Sequence, residues 1–223
     1  MGNFTEARIQ MVDCQIRPND VTDYNLIEAF NTIPRELFVP LGKRPIAYTD
    51  ADISIYSGDT PDDERFLTQV MPFAKMLQAV GLKENDVVLC IGAGSGYGAA
   101  VISKLVASVV AIESDDSLVT EANGTLGELE IDNVAIISGD LTAGCPSEAP
   151  FDAIVIEGAV EEVPERIVSQ LRNHGRLVAV VGRGLAAEIQ VFSKTDDDIS
   201  VTRFGNVSIP ALPGFQRAET FVF

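Results

Sequence analysis

The chain has 223 residues, 46% of them apolar, which is enough to bury the core of a single α/β layer structure. No run approaches about 18 uninterrupted apolar residues, so a membrane span is not expected. The net charge of −17 opposes binding to DNA, RNA and anionic membranes, so neither nucleic acid nor a membrane is an expected partner.

The cysteines and the opening segment favour a cytoplasmic protein. Cys14, Cys90 and Cys145 are few, odd in number and far apart, which is typical of reduced thiols and not of a disulfide framework. The first residues include acidic side chains and no long apolar run, so they are not expected to form a secretory signal. No cysteine stands in a CxxC spacing or beside a histidine, and no metal site is predicted.

Residues 1–80 are predicted to be mostly helical, with loops between the helices. Ile9, Val12 and Ile16 form an apolar stripe at helical spacing that begins after Thr5, a residue type that caps helices. Two further helices are predicted over 23–33 and 64–82, and the second is expected to end near Gly81.

From Asp86 onward, short apolar runs alternate with amphipathic segments. Apolar runs of this length are typical of parallel strands that are covered on both faces, and the alternation indicates right-handed crossovers. The predicted strands are 87–91, 108–113, 133–138, 151–157 and 175–182, with helices over 96–107, 115–130 and 164–174. Three later runs, 187–195, 198–204 and 218–223, are predicted to pair antiparallel at the sheet edge.

These elements predict an α/β fold with a Rossmann-like doubly wound sheet. The sheet is expected to be mostly parallel with antiparallel edge strands, and a helical N-terminal cover is expected to lie on it. We expect a single domain spanning 1–223, in which 1–82 form the cover and 83–223 form the core.

A glycine-rich loop directly follows the first core strand and opens a helix. Gly92, Gly94 and Gly96 allow a sharp turn and let a ligand lie against bare backbone. A dinucleotide fingerprint would read GxGxxG, whereas the spacing here is GxGxG with Tyr97 at the next position, which favours a nucleoside without a pyrophosphate. A purely structural tight turn is the alternative reading of this loop.

Two acidic residues follow neighbouring strands at the edge where ligands bind in open α/β sheets. Glu113 ends the second core strand, where a carboxylate can accept both ribose hydroxyl protons, and Asp140 follows the third strand, where it could meet an adenine. Each acid alone could be a solvated strand end, but the three signals together favour a nucleoside site. The predicted cofactor-binding residues are Gly92, Ala93, Gly94, Ser95, Gly96, Tyr97, Glu113, Ser114, Asp140 and Leu141.

With these residues in view, nearly the whole chain resembles the protein-L-isoaspartate O-methyltransferases, which are class I methyltransferases. The resemblance rests on AFNTIPRELFVP followed by AYTD, on IGAGSGYGAAV, on APFDAIVIEGAVEEVP and on QLRNHGRLVAVVG. It implies that the 83–223 core binds S-adenosylmethionine as the cofactor. It also implies that the protein methylates isoaspartyl residues in damaged proteins, with the acceptor-side residues within 1–82. The implied partner is therefore an isoaspartyl-containing protein or peptide.

The segment that carries the acceptor site departs from the family pattern. The family has a Thr-Ile-Ser-Gln-Pro run whose serine lies at the active site. Counting back without gaps from AKM, Thr68 takes the position of that serine and Gln69 matches, so both are predicted catalytic residues. The preceding residues, 54–64, do not resemble the glycine-rich segment that precedes this run in the family.

Two further departures lie at strand ends. Cys90 replaces an acidic residue that usually opens the cofactor loop and helps to hold the methionine part of the cofactor. Glu157 ends the fourth core strand, at a position where the family has a small or hydroxyl residue. In such folds the end of this strand usually faces the methyl acceptor.

The chemistry that the resemblance implies needs no strong base, because a carboxylate acceptor is already ionised near neutral pH. Catalysis would then rest on alignment and shielding from water, with Thr68 and nearby backbone amides orienting the acceptor. One alternative is a changed amine or hydroxyl acceptor, with Glu157 as general base or anchor. Another is a non-catalytic protein that binds S-adenosylmethionine, and a weaker one is a nicotinamide-dependent dehydrogenase.

Overall fold

A computed structural model describes residues 3–58, 64–196 and 198–216 of the chain. Within these ranges the N-terminal third is mostly helical. Side chains of Asn3, Asp23 and Asp115 cap the helices that follow them, and Gly81 ends another in the left-handed conformation. The α-helices are α1 (Phe4–Met11), α2 (Tyr24–Thr32), α3 (Val70–Val80), α4 (Tyr97–Ser103), α5 (Asp116–Glu128) and α6 (Glu165–Val168).

The core is a seven-stranded sheet in the order β5-β4-β3-β6-β7-β8-β9, and a separate antiparallel pair, β1-β2, lies outside it. The first five strands of this order are parallel, whereas β8 and β9 are antiparallel to their neighbours. The predicted fold class is confirmed. The strands are β1 (Ile53–Tyr56), β2 (Arg65–Leu67), β3 (Val87–Ile91), β4 (Ser108–Glu113), β5 (Val134–Ser138), β6 (Phe151–Val160), β7 (Leu171–Val181), β8 (Glu188–Thr195) and β9 (Asp198–Asn206).

The topology creates a crevice at one place on the sheet edge. Strand β3 pairs in parallel with β4 on one side and with β6 on the other, so the strand order reverses there. Ligands of open α/β sheets bind beyond the carboxyl ends of the strands at such a switch point. The carboxyl end of β3 leads into the glycine loop, Glu113 is the last residue of β4, and Glu157 lies three residues before the end of β6.

Two predicted helices begin or end elsewhere in the structure. The helix predicted over 64–82 starts only at Val70, because residues 65–67 are extended and pair with β1. The helix predicted over 164–174 is a single turn, because the chain rejoins the sheet at the buried Leu171, which pairs with Phe151. Tertiary contacts outweigh the local apolar spacing at both places. The run predicted as a strand over 218–223 lies outside the described residues.

The helical cover is joined to the core through a buried arginine. Arg35 is 1% exposed, donates to the carbonyl oxygens of Ala47 (2.8 Å) and Thr68 (2.7 Å), and lies with Cζ 4.8 Å from the centre of the Tyr97 ring. Burial lowers the pKa of its guanidinium. The division of the chain at 82/83 into cover and core stays a prediction. No helix in the described ranges is long and apolar enough to cross a membrane.

Replacing Arg35 with Met is expected to lower the free energy of unfolding by about 2–4 kcal/mol, because the carbonyl groups of Ala47 and Thr68 lose a charged donor. Chemical denaturation monitored by circular dichroism measures the change. Arg35→Lys is the matched control and should recover only part of the loss, since an ammonium lacks the planar fork of a guanidinium. A stability unchanged in Arg35→Met would contradict this role.

Candidate active site

The glycine loop turns sharply from β3 into α4. Gly92, Gly94 and Gly96 have φ values of +83°, +52° and +89°, which L side chains rarely adopt. Backbone N–H groups of Gly92 and Ala93 both donate to the carbonyl oxygen of Ile112 at 3.0 Å, which ties the loop to β4. The three glycines are therefore required by the backbone conformation as well as by any close approach of a ligand.

Glu113 lies at the centre of a donor set beside this loop. Its side chain is fully buried, and it accepts hydrogen bonds from the backbone N–H groups of Gly94 (2.9 Å), Ser114 (2.8 Å) and Asp115 (3.3 Å). Three backbone donors hold the carboxylate in place through charge-assisted hydrogen bonds. Glu113 is thus fixed at the end of β4, the position predicted to bind a ribose.

An arginine occupies the remaining face of this carboxylate. Nε of Arg65 lies 3.2 Å from Oε1 of Glu113, and Nη2 donates to Oγ of Ser114 at 2.7 Å. Arg65 is only 7% exposed, so this is a buried ion pair. The guanidinium therefore takes up acceptor capacity that two ribose hydroxyls would need.

Apolar side chains also cover the glycine loop. A methyl group added to Gly92 would lie 2.6 Å from Cδ1 of Leu212, and one added to Gly94 would lie 3.0 Å from Cδ1 of Ile55. The cavity that remains has a volume of about 20 Å³, and it is lined by Glu64, Arg65, Phe66, Thr68, Gly92, Gly94, Glu157, Pro210, Ala211, Leu212 and Pro213. A volume of this size holds one water molecule at most.

The donor set nevertheless fits a nucleoside. Bare glycine backbone and a fixed carboxylate at the topological switch point match the chemistry of a ribose and a base. Ser95 is 6% exposed, and its buried Oγ has no hydrogen-bond partner within the described part of the chain, so the loop retains an unused polar group. The groups fit the ligand, but a cavity of about 20 Å³ is too small to hold it while Arg65 is paired with Glu113.

Glu157 and Cys90 form a second polar pair on the opposite side of the loop. The thiol of Cys90 donates to Oε1 of Glu157 at 2.7 Å. Burial raises the pKa of the Cys90 thiol well above its ordinary value, so the thiol remains protonated. Burial, which outweighs the hydrogen bond from the thiol, raises the pKa of Glu157 to about 8.

The two predicted catalytic residues lie at the start of α3. Thr68 lines the small cavity together with Gly92, Gly94 and Glu157, so the structure brings it next to the glycine loop. The backbone N–H of Gln69 donates to Oδ1 of Asp52 at 2.9 Å, and burial raises the pKa of that carboxyl. Arg35 and Asp52 therefore fix the backbone of this segment.

The other predicted site residues differ in how far they are exposed. Asp140 is exposed on the same sheet edge, and its pKa is lowered first by a hydrogen bond from the hydroxyl of Thr142. The side chains of Tyr97 and Leu141 lie in the core, 2% and 3% exposed, so only their backbone could reach a ligand. Among the described residues, no group of three or more His, Cys, Asp or Glu side chains could hold a metal ion.

The sequence analysis missed Arg65, Ile55 and Leu212, the residues that close the site. The only signal was that residues 54–64 depart from the expected pattern. Nothing in sequence spacing links Arg65 to a carboxylate that follows it by 48 positions.

The chain is similar to many enzymes of one family. A family model described as protein-L-isoaspartate(D-aspartate) O-methyltransferase matches residues 7–211. The protein-L-isoaspartate O-methyltransferase of Roseiflexus castenholzii is 38% identical, over 95% of this chain and 94% of the relative. That of Methanoculleus marisnigri is 34% identical, over 93% of this chain and 91% of the relative.

Solved structures agree with this similarity. A protein-L-isoaspartate O-methyltransferase superposes with a TM-score of 0.78 at 28% identity, covering 92% of this chain and 65% of that one. A Plasmodium falciparum protein, described as a putative member of the family in complex with S-adenosylhomocysteine, has the same fold. Its TM-score is 0.75 at 19% identity, with 95% and 99% of the two chains covered.

The family model covers well over half of the chain, and the relatives match it almost end to end. The predicted family, enzyme class and cofactor are therefore confirmed. The glycine loop and the IPRELFVP segment indicate the same family. The chain therefore belongs to the protein-L-isoaspartate O-methyltransferases, which use S-adenosylmethionine as the methyl donor.

Proposed function

We propose that this protein methylates the carboxylate of L-isoaspartyl residues in damaged proteins, with S-adenosylmethionine as the methyl donor. The observation that carries the proposal is the juxtaposition of Thr68 with the glycine loop in one cavity at the switch point of the sheet. The membership of the chain in the family supports the same acceptor.

Binding of the donor is assigned to the loop 92–96 and to Glu113. The carboxylate keeps its three backbone donors and exchanges the guanidinium of Arg65 for ribose hydroxyls. When bound, S-adenosylmethionine supplies a methyl group that is activated by its positive sulfur. The protein then needs only to hold the acceptor oxygen in line with that methyl and to exclude water.

Thr68 is the proposed orienting group for the acceptor. Its hydroxyl can donate a hydrogen bond to the acceptor carboxylate, which is ionised near neutral pH and needs no base. Gln69, whose backbone is fixed by Asp52, and nearby backbone amides complete this side of the proposed site.

A changed acceptor and a non-catalytic role are both less favoured. Each of the relatives described above carries the isoaspartate name in full, and the similarity spans the acceptor-side segment. The carboxyl of Glu157, the residue that motivated a changed acceptor, already accepts a hydrogen bond from the thiol of Cys90.

The proposed setting is the cytoplasm, with isoaspartyl proteins or peptides as partners and without nucleic acid or membrane. The free state of Cys14, Cys90 and Cys145 supports a reducing compartment. The net charge of −17 opposes association with polyanions.

A labelled-methyl assay tests this function. An isoaspartyl peptide should receive label from S-adenosylmethionine as an ester that is released by mild base, whereas the same peptide with a normal aspartyl residue should not. Equal labelling of both peptides, or none at saturating donor, would contradict the proposal.

Replacing Thr68 with Ala is expected to lower kcat/KM for the isoaspartyl peptide about 10–100-fold, because one orienting hydrogen bond is lost. Binding of S-adenosylhomocysteine, measured by calorimetry, should stay unchanged. Thr68→Ser keeps the hydroxyl and should retain most activity. Equal losses in the two variants would show that the hydroxyl is not the group that matters.

A further inference from the structure

Strands β4 and β6 place two carboxyl groups on opposite sides of the glycine loop. Strand β3 pairs with both strands, so Glu113 lies on one side of the loop and Glu157 on the other. A nucleoside whose ribose is held by Glu113 therefore has its remaining end directed across β3. That end of S-adenosylmethionine is an amino acid, and it carries an ammonium group.

Glu157 is positioned to meet this end. It lines the same cavity as Gly92 and Thr68, and it retains some exposure to that cavity although protein surrounds its carboxyl. Both carboxylate oxygens lie 2.0–2.1 Å from the place where a Cβ on Gly98 would stand, so the group rests directly on the backbone of α4. The thiol of Cys90 fixes one of its oxygens.

The surroundings of Glu157 favour its protonated form when no cation is near. Cys90 on β3 and Glu113 on β4 both face it, Arg35 acts on it from the helical cover, and Glu64 and Arg65 line the same cavity. Burial is the largest cause of the shift that raises its pKa to about 8. A nearby ammonium would favour the carboxylate instead.

We propose that Glu157 binds the ammonium group of the cofactor's amino-acid end and loses its own proton to solvent as the cofactor binds. The inference rests on the proposed function, since it assumes that the nucleoside site binds this cofactor. The O–H bond of the carboxylic acid breaks, the proton goes to the buffer and the carboxylate pairs with the ammonium. No electron transfer is involved.

The proton release fixes the direction of a pH effect. Below pH 8 the wild-type carboxyl must be deprotonated on binding, so affinity for S-adenosylhomocysteine should rise by up to about tenfold per pH unit between pH 6 and pH 7.5. The Glu157→Gln variant has no such proton and should show a flat dependence. It should be no less stable than wild type at neutral pH, because glutamine resembles the neutral acid.

Calorimetry with two nucleosides separates this role from a merely structural one. S-adenosylhomocysteine keeps the amino-acid end, whereas 5′-methylthioadenosine lacks it. At pH 6.5, in two buffers of different ionisation enthalpy, wild type should release about one proton per S-adenosylhomocysteine and none per methylthioadenosine. Glu157→Gln should release none and bind S-adenosylhomocysteine about tenfold or more weakly, with methylthioadenosine changed less than about twofold.

Two variants sharpen the result. Gly98→Ala puts a methyl group where the carboxyl now lies, so it should weaken S-adenosylhomocysteine binding without affecting methylthioadenosine. Glu165→Gln, an exposed charge on α6, is the matched control and should change neither. The inference is overturned if Glu157→Gln binds both nucleosides like wild type, or weakens both equally. Wild type that binds neither nucleoside would overturn the proposed function itself.

Discussion

Replacing Glu113 with Gln is expected to weaken binding of S-adenosylhomocysteine about 100-fold. A carboxylate that accepts from two hydroxyls contributes about 3 kcal/mol through charge-assisted hydrogen bonds, and about 1.4 kcal/mol corresponds to a factor of ten. An amide is neutral and has only one acceptor oxygen, so it binds the two hydroxyls more weakly than a carboxylate does. Isothermal titration calorimetry measures the loss.

The same substitution affects stability, and a double variant separates the two effects. Glu113→Gln leaves the buried charge of Arg65 without its partner, which is expected to cost about 3 kcal/mol of unfolding free energy. Adding Arg65→Ala should restore much of this stability but none of the affinity. Glu121→Gln, an exposed charge change on α5, is the control. An affinity within about threefold of wild type in Glu113→Gln would exclude the assigned ribose site.

Replacing Arg65 with Ala is expected to strengthen binding of S-adenosylhomocysteine about tenfold or more. In the proposed mode of binding, the guanidinium competes with the ribose for the carboxylate of Glu113, and the ligand binds only the fraction of molecules in which the pair has opened. An apparent dissociation constant is the intrinsic value divided by that fraction, and an open fraction of about 10% gives a tenfold effect. Calorimetry at constant pH measures the gain.

Thermal unfolding provides a second measure of the Arg65→Ala variant. The ligand-free variant should melt at a lower temperature than wild type, because the carboxylate loses one of its partners. Saturating S-adenosylhomocysteine should then stabilise the variant more than it stabilises wild type. Arg203→Ala, at an exposed ion pair on β9, is the matched control. Weaker binding in Arg65→Ala would mean that the guanidinium contributes to ligand binding and is not a competitor.

The sheet could be predicted from sequence because its signals are local. The runs at 87–91 and 108–113 match β3 and β4 residue for residue, since buried parallel strands need continuous apolar residues. The antiparallel pairing of β8 with β9 was also predicted, and it is confirmed. Local signals failed where distant contacts decide the conformation, as in β2, which is extended because it pairs with β1.

Only part of the candidate site could be predicted from the sequence. Gly92, Gly94 and Gly96 with Glu113 form one donor set because a strand–turn–helix pattern fixes their relative positions. The residues that close the set come from elsewhere in the chain, and no periodicity connects them to it. The contact between Cys90 and Glu157 was likewise hidden, although both were singled out as departures, because strand order decides that β3 and β6 are neighbours.

A crystal structure with bound S-adenosylhomocysteine tests the central claim most directly. It should show the ribose hydroxyls donating to Glu113, the guanidinium of Arg65 displaced from that carboxylate, and the nucleoside lying along 92–96. A structure in which the ligand is bound while the Arg65–Glu113 pair of 3.2 Å is intact would contradict the account.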